Sequence, residues 1–465
     1  MLGVIGIILS LVLLMYLAYR GITVLILAPI LSLLAALIST IGGNSVPLMA
    51  TYTEIFMKSF AGYCKSYFPI FLLGAIFGKI MDDSGAAKSI SHNIAKKLGK
   101  DKAMIAVVLS CAILTYGGVS LFVVAFAVYP IAVALFIEAD IPKRLIPGTI
   151  ALGAFTFTMT ALPGTPQIQN AIPMPFFGTD AYAAPVLGVI GALLMAGFGM
   201  TWLTYRAKKA KANGEGYGEH SGDVVERLKE EELPPFISSI LPIVLVLAIN
   251  LILSRFVFVE GRYDGNYLAQ EPFNTTLSTL AGGWSLIISL VISIITAIVL
   301  NFTRFKEFKG SLNDGAIGSL LAIINTASEV GYGNVIQSLA AFEIVKTAIL
   351  GISSNPIIAE ALSVNILAGI TGSASGGMSI ALGTLGSTYL EMALNMGINP
   401  QVLHRVATLA CGGLDTLPHN GAVITLLAIC GMTHKESYLD IGMVSLVLPI
   451  LSTMIVIIFA ILGVV

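Results

Sequence analysis

Long apolar runs separated by short polar segments dominate this chain. A transmembrane helix needs about 20 mostly apolar residues. Runs of about that length predict membrane helices at 2–19, 21–42, 66–82, 184–205, 236–258, 278–301 and 437–464, with a shorter one at 311–328. Four further apolar stretches are interrupted by glycine, proline and polar residues, at 103–138, 145–175, 355–393 and 402–431. The pattern predicts an all-α polytopic membrane protein with four broken elements.

The interruptions occur in pairs, one of each pair in each half of the chain. Proline-broken polar segments lie at 160–167 and 415–421, around Pro163 and Pro418. Each follows, some forty residues later, a segment rich in glycine or serine, at 116–120 and 373–379. Paired interruptions at corresponding places in two hydrophobic halves indicate the binding site of a secondary transporter.

Composition agrees with a membrane location and excludes several other classes. The chain is 56% hydrophobic and 11% charged, whereas soluble proteins carry about 25% charged residues. Nucleic-acid binding has no support, because basic residues form no stripe outside short loops. The cysteines have no metal-ligand spacing and are expected to be buried apolar side chains: Cys64, Cys111, Cys411 and Cys430. We expect no metal and no cofactor beyond a coupling ion.

Most of the 25 basic residues can be placed on one face of the membrane, called the basic face below. The bias of Lys and Arg identifies this face as cytoplasmic and puts the N-terminus outside, with residues 1–18 read as a retained first span. The segment 84–100 has apolar residues at helical spacing with lysines between them, which predicts a helix lying at the cytoplasmic interface.

This orientation predicts two inverted repeats. The segment 103–138 starts and ends beside basic-face charges, so we expect a re-entrant hairpin that turns at 116–120. Its counterpart, 355–393, then enters from the opposite face and turns at 373–379. The first repeat covers 1–205 and the second 234–465, each with a hairpin and a broken helix (145–175 and 402–431). Residues 206–233 form a polar cytoplasmic linker.

Broken helices survive in a membrane only where they face protein or a watery cavity. Their N-terminal ends carry partial positive charge and favour carboxylates. Because no Lys or Arg is expected in the cores of the four elements, with Arg405 assigned to the outer face, a small organic anion would be held by dipoles and hydroxyls. The candidate substrate-binding residues are Tyr116, Gly117, Gly118, Ser120, Thr160, Thr165, Gln167, Ser373, Ser375, Gly376, Gly377, Ser379, Thr416, His419 and Asn420. Helix–helix packing by small residues is the alternative for the serines and glycines.

Asp415 is the carboxylate that stands inside a broken span. A carboxylate at membrane depth is a functional hypothesis by default, so Asp415 is the candidate to carry the coupling proton or to help hold sodium. The alternative is that it caps a half-helix beginning near Thr416. His419 titrates near neutral pH and is the second candidate for ion coupling. Glu329 is expected at the interface, and His404 in a loop or at the surface.

Two segments resemble the gluconate permease family of the ion transporter superfamily. They are Gly413-Leu-Asp415-Thr-Leu-Pro418-His419-Asn420-Gly421 and Ser373-Ala-Ser-Gly-Gly377. The second break departs from the His-Val-Asn-Asp type of the sugar-acid branch and is more similar to permeases for short hydroxycarboxylates such as 3-hydroxybutyrate.

The resemblance implies a multi-pass carrier of the bacterial cytoplasmic (inner) membrane. It also implies cation-coupled symport, with a proton preferred over sodium, an elevator motion of a transport domain against a scaffold domain, and a homodimer. Gluconate or another sugar acid is the alternative substrate. A sodium/proton exchanger and an intramembrane protease are further alternatives, but Gly412-Gly-Leu-Asp415 lacks the second glycine of the aspartyl protease motif.

Overall fold

A computed structural model describes residues 2–20, 22–43, 45–220, 233–418 and 420–465. All the regular secondary structure in this described part is helical, as the sequence predicts. Six of its helices are long and apolar enough to cross a membrane: Val24–Ile41, Leu48–Asp83, Pro185–Ala212, Phe236–Val257, Leu277–Arg304 and His434–Ile461.

The first half contains eight longer helices. They are α1 (Leu2–Tyr19), α2 (Val24–Ile41), α3 (Leu48–Asp83), α4 (Ala86–Leu98), α5 (Ala103–Tyr116), α6 (Leu121–Glu138), α7 (Ile146–Ala154) and α8 (Pro185–Ala212). Between α7 and α8 lie three single turns of helix, at Phe157–Thr160, Ile168–Ala171 and Met174–Phe177.

The described residues of the second half form nine longer helices in a similar order. They are α9 (Phe236–Val257), α10 (Leu277–Asn301), α11 (Phe308–Ser338), α12 (Phe342–Ile352), α13 (Pro356–Thr371), α14 (Ala374–Asn395), α15 (Pro400–Cys411), α16 (Gly421–Cys430) and α17 (His434–Ile461). In both halves a long helix and a shorter one precede a helical pair, a broken segment and a long final helix.

The helical pairs α5–α6 and α13–α14 lie where the two hairpins are predicted. Gly118 (φ +96°) and Gly372 (φ +64°) adopt the left-handed conformation that lets the chain reverse. The second turn is shorter than predicted, because α14 already begins at Ala374. Gly376 and Gly377 therefore lie in the first turns of a helix and not in a loop.

The two longest helices, α3 and α11, pack along each other. Both exceed the predicted spans of 66–82 and 311–328. Lys58 and Lys65 interrupt the apolar run of α3, yet both lie on its exposed side and leave the helix intact. The next element after α3 is α4, which is helical as predicted, and its residues Ala87 and Ile90 are buried against protein.

A cluster of charged residues joins several elements at the basic face. The buried carboxylate of Asp440 on α17 pairs with Arg206 Nε of α8 (2.9 Å) and with Arg144 Nη1 (3.3 Å), which lies just before α7. Arg144 also donates two hydrogen bonds to Glu215, at 2.6 and 2.8 Å. The beginning of the linker is thus fixed against the helices beside it.

Candidate functional site

The turn of the first hairpin is held by the first broken segment. Gln167 Nε2 donates to the carbonyl oxygens of Thr115 (2.8 Å) and Val119 (3.3 Å), which flank the turn. In return, the hydroxyl of Tyr116 donates to the Pro163 carbonyl at 2.7 Å. Gln167 and Tyr116, both predicted to bind substrate, therefore bond the hairpin to the break.

The turn of the second hairpin is held in the same way by the second broken segment. Asn420 Nδ2 donates to the carbonyl oxygens of Gly372 (2.8 Å) and Asp415 (2.9 Å). Its Oδ1 accepts hydrogen bonds from the first backbone amides of α16. Ser373 Oγ caps α14 by accepting from Gly376 N. The N-termini of α14 and α16 consequently lie side by side at this tip.

Asp415 does not cap a half-helix, because α16 begins at Gly421 and Asn420 is its cap. The Asp415 side chain is 4% exposed, and its Oδ1 has no hydrogen-bond partner among the described residues. Ion pairs within the described part of the chain do not include it. A buried carboxylate without a countercharge is costly, so Asp415 retains the chemistry of a proton-binding or cation-binding group.

The two broken segments contact each other. A Cβ built on Gly412 would lie 2.8 Å from Thr160 Cγ2, so only glycine lets the segments approach this closely. The turn Ile168–Ala171 also packs against α14 and α15. Each tip therefore contacts its own break, and the breaks contact one another, which brings the four interrupted elements together.

Arg405 corrects the expectation that the broken elements lack a basic residue. It is 0% exposed, and its guanidinium donates to the carbonyls of Ala181 and Ala183 and to Asn170 Oδ1. Arg405 lies in α15, which is the first part of the second broken segment. Its side chain binds residues that follow the first broken segment. A positive charge is thus buried beside the first break, where it favours a nearby anion.

His404 is not in a loop or at the surface, as expected, but is fully buried in α15. Its Nδ1 lies 2.6 Å from Thr179 Oγ1 and its Nε2 lies 3.2 Å from Asn170 Oδ1. Sequence reasoning missed both His404 and Arg405. The signal was two adjacent polar residues in an otherwise apolar run, but the count of basic residues per face assigned Arg405 to the outside.

The remaining predicted residues divide by whether their polar atoms are already bonded. Thr160 and Thr416 are buried and donate to the carbonyls of Thr156 and Ser445. Thr165 Oγ1 accepts weakly from Gln167 N, at 3.4 Å. Ser379 Oγ is buried without a partner among the described residues. Ser120 and Ser375 are half-buried and lie at the tips of the first and second hairpins. The Gly117–Gly118 pair forms the turn of the first hairpin. His419 lies outside the described residues.

Two further buried carboxylates were not predicted. Glu329 is buried within α11, which continues beyond it to Ser338, and Glu360 is buried in α13. Glu329 Oε2 and both carboxylate oxygens of Glu360 have no hydrogen-bond partner among the described residues. The span predicted from the sequence ends at residue 328, which puts Glu329 just beyond the end of that predicted span.

Comparisons with known proteins place this geometry in a family. The sequence model described as GntP family permease matches residues 1–462. The uncharacterized transporter YxjC of Bacillus subtilis (strain 168) is 47% identical over 453 residues, which cover 95% of each chain. A protein of Bacillus licheniformis named gluconate permease is 27% identical over 55% of this chain and 56% of its own length.

Among solved structures, the YdaH transporter of Alcanivorax borkumensis is similar in fold, with a TM-score of 0.55. It is 14% identical in sequence, and the superposed region covers 90% of this chain and 88% of the YdaH chain. The family match spans nearly the whole sequence, and a relative that is 47% identical covers 95% of it. This chain therefore belongs to the GntP permease family and is a multi-pass membrane transporter, not an enzyme.

Proposed function

We propose that this chain is a cation-coupled symporter, with the proton as its preferred coupling ion, that imports a small hydroxycarboxylate across the bacterial inner membrane. The observation that carries the proposal is the convergence of the four interrupted elements. Asn420 brings the N-termini of α14 and α16 together, and the same segment holds Asp415, whose carboxylate forms no ion pair with the described residues. Helix N-termini favour a carboxylate substrate, and Asp415 can bind the coupling ion.

The buried charge of Arg405 supports an anionic substrate further. No carboxylate of the described residues pairs with it within ion-pair distance. Carbonyl and amide dipoles, together with the more distant carboxylate of Asp180, offset its positive charge. Ser120 and Ser375 are half-buried at the two tips, and their hydroxyls can form hydrogen bonds with the hydroxyl group of the substrate.

A short hydroxyacid such as 3-hydroxybutyrate is the proposed substrate, because the second break differs from the sugar-acid pattern. Gluconate is the second candidate, and the relative named gluconate permease favours it. We further propose that the halves 1–205 and 234–465 are inverted repeats that move as an elevator against a scaffold in a homodimer. The similar order of helices in the two halves supports this arrangement.

Uptake of labelled 3-hydroxybutyrate into proteoliposomes tests the function. A pH gradient or a sodium gradient is imposed, and gluconate is added as competitor. Accumulation under one gradient that resists gluconate supports the short-hydroxyacid symporter and identifies the ion. Strong competition by gluconate supports the sugar-acid alternative. Absence of accumulation in sealed vesicles, together with sodium-driven proton flux, would favour an exchanger.

Asp415→Asn tests the coupling residue. Each coupled proton multiplies the steady-state accumulation ratio by about tenfold per unit of pH gradient, because one pH unit corresponds to a factor of ten. We expect Asp415→Asn to lower the ratio by about tenfold per pH unit while substrate exchange continues. Asp264→Asn, in an exposed loop, is the matched control. An unchanged ratio in Asp415→Asn removes this residue from the coupling role.

A further inference from the structure

Three buried oxygen-bearing side chains from three helices meet near the start of α14. Tyr63 of α3, Glu329 of α11 and Ser379 of α14 are 6%, 4% and 2% exposed. The Tyr63 hydroxyl neighbours Ser379, and Glu329 lies within range of its electrostatic interactions. Tyr63 Oη, Glu329 Oε2 and Ser379 Oγ all lack a hydrogen-bond partner of good geometry among the described residues. A carboxyl group and two hydroxyls are therefore enclosed together with unused bonding capacity.

Glu329 is in direct contact with the second hairpin. A Cβ built on Gly376 would overlap Glu329 Oε2, so the carboxyl group lies against the backbone of the first turn of α14. That turn follows the tip that Asn420 bonds to the second break. Movement of this tip would change the surroundings of Glu329 directly.

Glu329 has no positive partner among the residues that the structure describes. The ion pairs of the described residues do not include it, and α2, which packs against α11, carries no titratable residue. Tyr63 is the titratable group that faces it from α3. The other nearby groups include Tyr332 of α11, which is hydrogen-bonded to Ser10, and the half-buried thiol of Cys64 on α3. The remaining titratable side chains of α3, α12 and α14 are exposed or bonded elsewhere. Glu54, Lys58, Lys65 and Glu391 are exposed, Glu343 pairs with Lys346, Lys79 pairs with Asp83, Tyr67 donates to Ile172, and Tyr389 donates to Ser363.

We propose that Glu329 binds a second coupling proton, in addition to the one bound by Asp415, each time the second hairpin closes over it. A carboxylate enclosed without a cation is far more costly than the neutral acid, and the hydroxyls of Tyr63 and Ser379 can bond the protonated group. The inference rests on the proposed function and extends it. One carboxylate anion moving with two protons transfers one net positive charge per cycle, so uptake is electrogenic.

Glu360 provides an internal comparison. It is also buried, and its carboxylate oxygens have no hydrogen-bond partner among the described residues, but it lies about three helical turns before the Gly372 turn. A group that far from the tip keeps its surroundings when the tip moves. Glu360 therefore takes no coupling proton, and Glu360→Gln is a matched control for the loss of a buried acid.

The experiment measures accumulation of labelled 3-hydroxybutyrate, or of gluconate if that is the substrate, in proteoliposomes containing the full chain. An inside-negative potential of about 100 mV is imposed without a pH gradient. For one net charge it should raise the steady-state ratio by about 50-fold in the wild type. Glu329→Gln should lose this response and keep about tenfold accumulation per pH unit through Asp415. Glu360→Gln and the exposed Glu391→Gln should respond as the wild type does.

Substrate exchange under no gradient reports whether each variant is folded. A wild type that accumulates under a pH gradient but ignores the potential overturns the second proton without need of any variant. A Glu329→Gln protein that keeps the full response to potential also overturns it. A wild type that accumulates nothing under any gradient instead refutes the proposed function, so the two failures are distinguishable.

Discussion

Gly376→Ala is a direct test of the contact between α11 and the second hairpin. In the structure a methyl group at position 376 would occupy the space of Glu329 Oε2. Either the Glu329 side chain turns away or α14 separates from α11. Gly383 lies on the same helix, and a methyl group there would be 3.7 Å from Asn334 Nδ2, an ordinary contact distance.

The comparison of the two alanine variants isolates the steric overlap. Both positions are helical, and both gain about 1 kcal/mol of helix propensity from the change. Overpacking of a close contact costs about 1–3 kcal/mol. We therefore expect Gly376→Ala to be less stable than Gly383→Ala by about 1–3 kcal/mol.

The assay is the thermal stability of the purified proteins in one detergent, with Glu329→Ala and the double variant Gly376→Ala/Glu329→Ala included. Removing the carboxyl group provides the space for the methyl group, so the double variant should regain the stability that Gly376→Ala loses. The interaction energy between the two sites should then be about 1–3 kcal/mol. Equal melting temperatures for the two alanine variants, or purely additive effects in the double variant, would refute the contact.

Three other perturbations have expected outcomes. Asn420→Ala loses the cap of α16 and the hydrogen bond to Gly372, which together should lower the free energy of unfolding by about 2 kcal/mol. Asn420→Asp keeps the cap, so its thermal stability should fall less than that of the alanine variant. Both variants should slow substrate exchange. Gln167→Ala removes two bonds that close the first tip, so maleimide labelling of Ser120→Cys should accelerate; an unchanged rate would show that Gln167 does not hold the tip. Glu215, whose pKa is lowered by the hydrogen bonds from Arg144, contributes stability at pH values above its ordinary 4.5, and this is lost as the pH falls through the lowered value. The hydrogen exchange of the backbone amides of residues 213–220, corrected for intrinsic rates, should therefore be a few-fold faster in Glu215→Gln than in the wild type at pH 7. The increase is small because a partly exposed ion pair contributes about 1 kcal/mol or less to stability. In acid, the exchange rates of the wild type should equal those of the variant.

Apolar pattern alone was enough to predict the helical class and the positions of most helices. Glycine and proline marked the interruptions because their backbones disfavour a continuous helix, and serine because its hydroxyl competes for backbone hydrogen bonds. Pattern was less informative about helix length. Lys58 and Lys65 on an exposed side shortened the predicted α3, although a charge on one side of a helix does not end it.

The candidate site was predicted in part. Asp415 and Asn420 fall within one interrupted segment, and their proximity follows from the sequence. The proximity of partners from distant elements does not follow from the sequence. The contact of Arg405 with residues 181–183 depends on packing between the two halves, and that of Glu329 with Gly376 depends on packing between two helices of the second half. Several predicted donors, such as Gln167, bond backbone instead. A sequence does not distinguish a polar side chain that binds a ligand from one that closes a turn.

The Asp440 cluster provides a position from which movement can be observed. Because Arg144 bonds both Asp440 and Glu215, the chain just beyond α8 follows α7 and α17 as one body. The exposed side chain at Glu219 lies four residues further on. A spectroscopic label there would test whether the broken elements move during turnover, as the proposed elevator motion requires, without touching any residue proposed to bind substrate or proton.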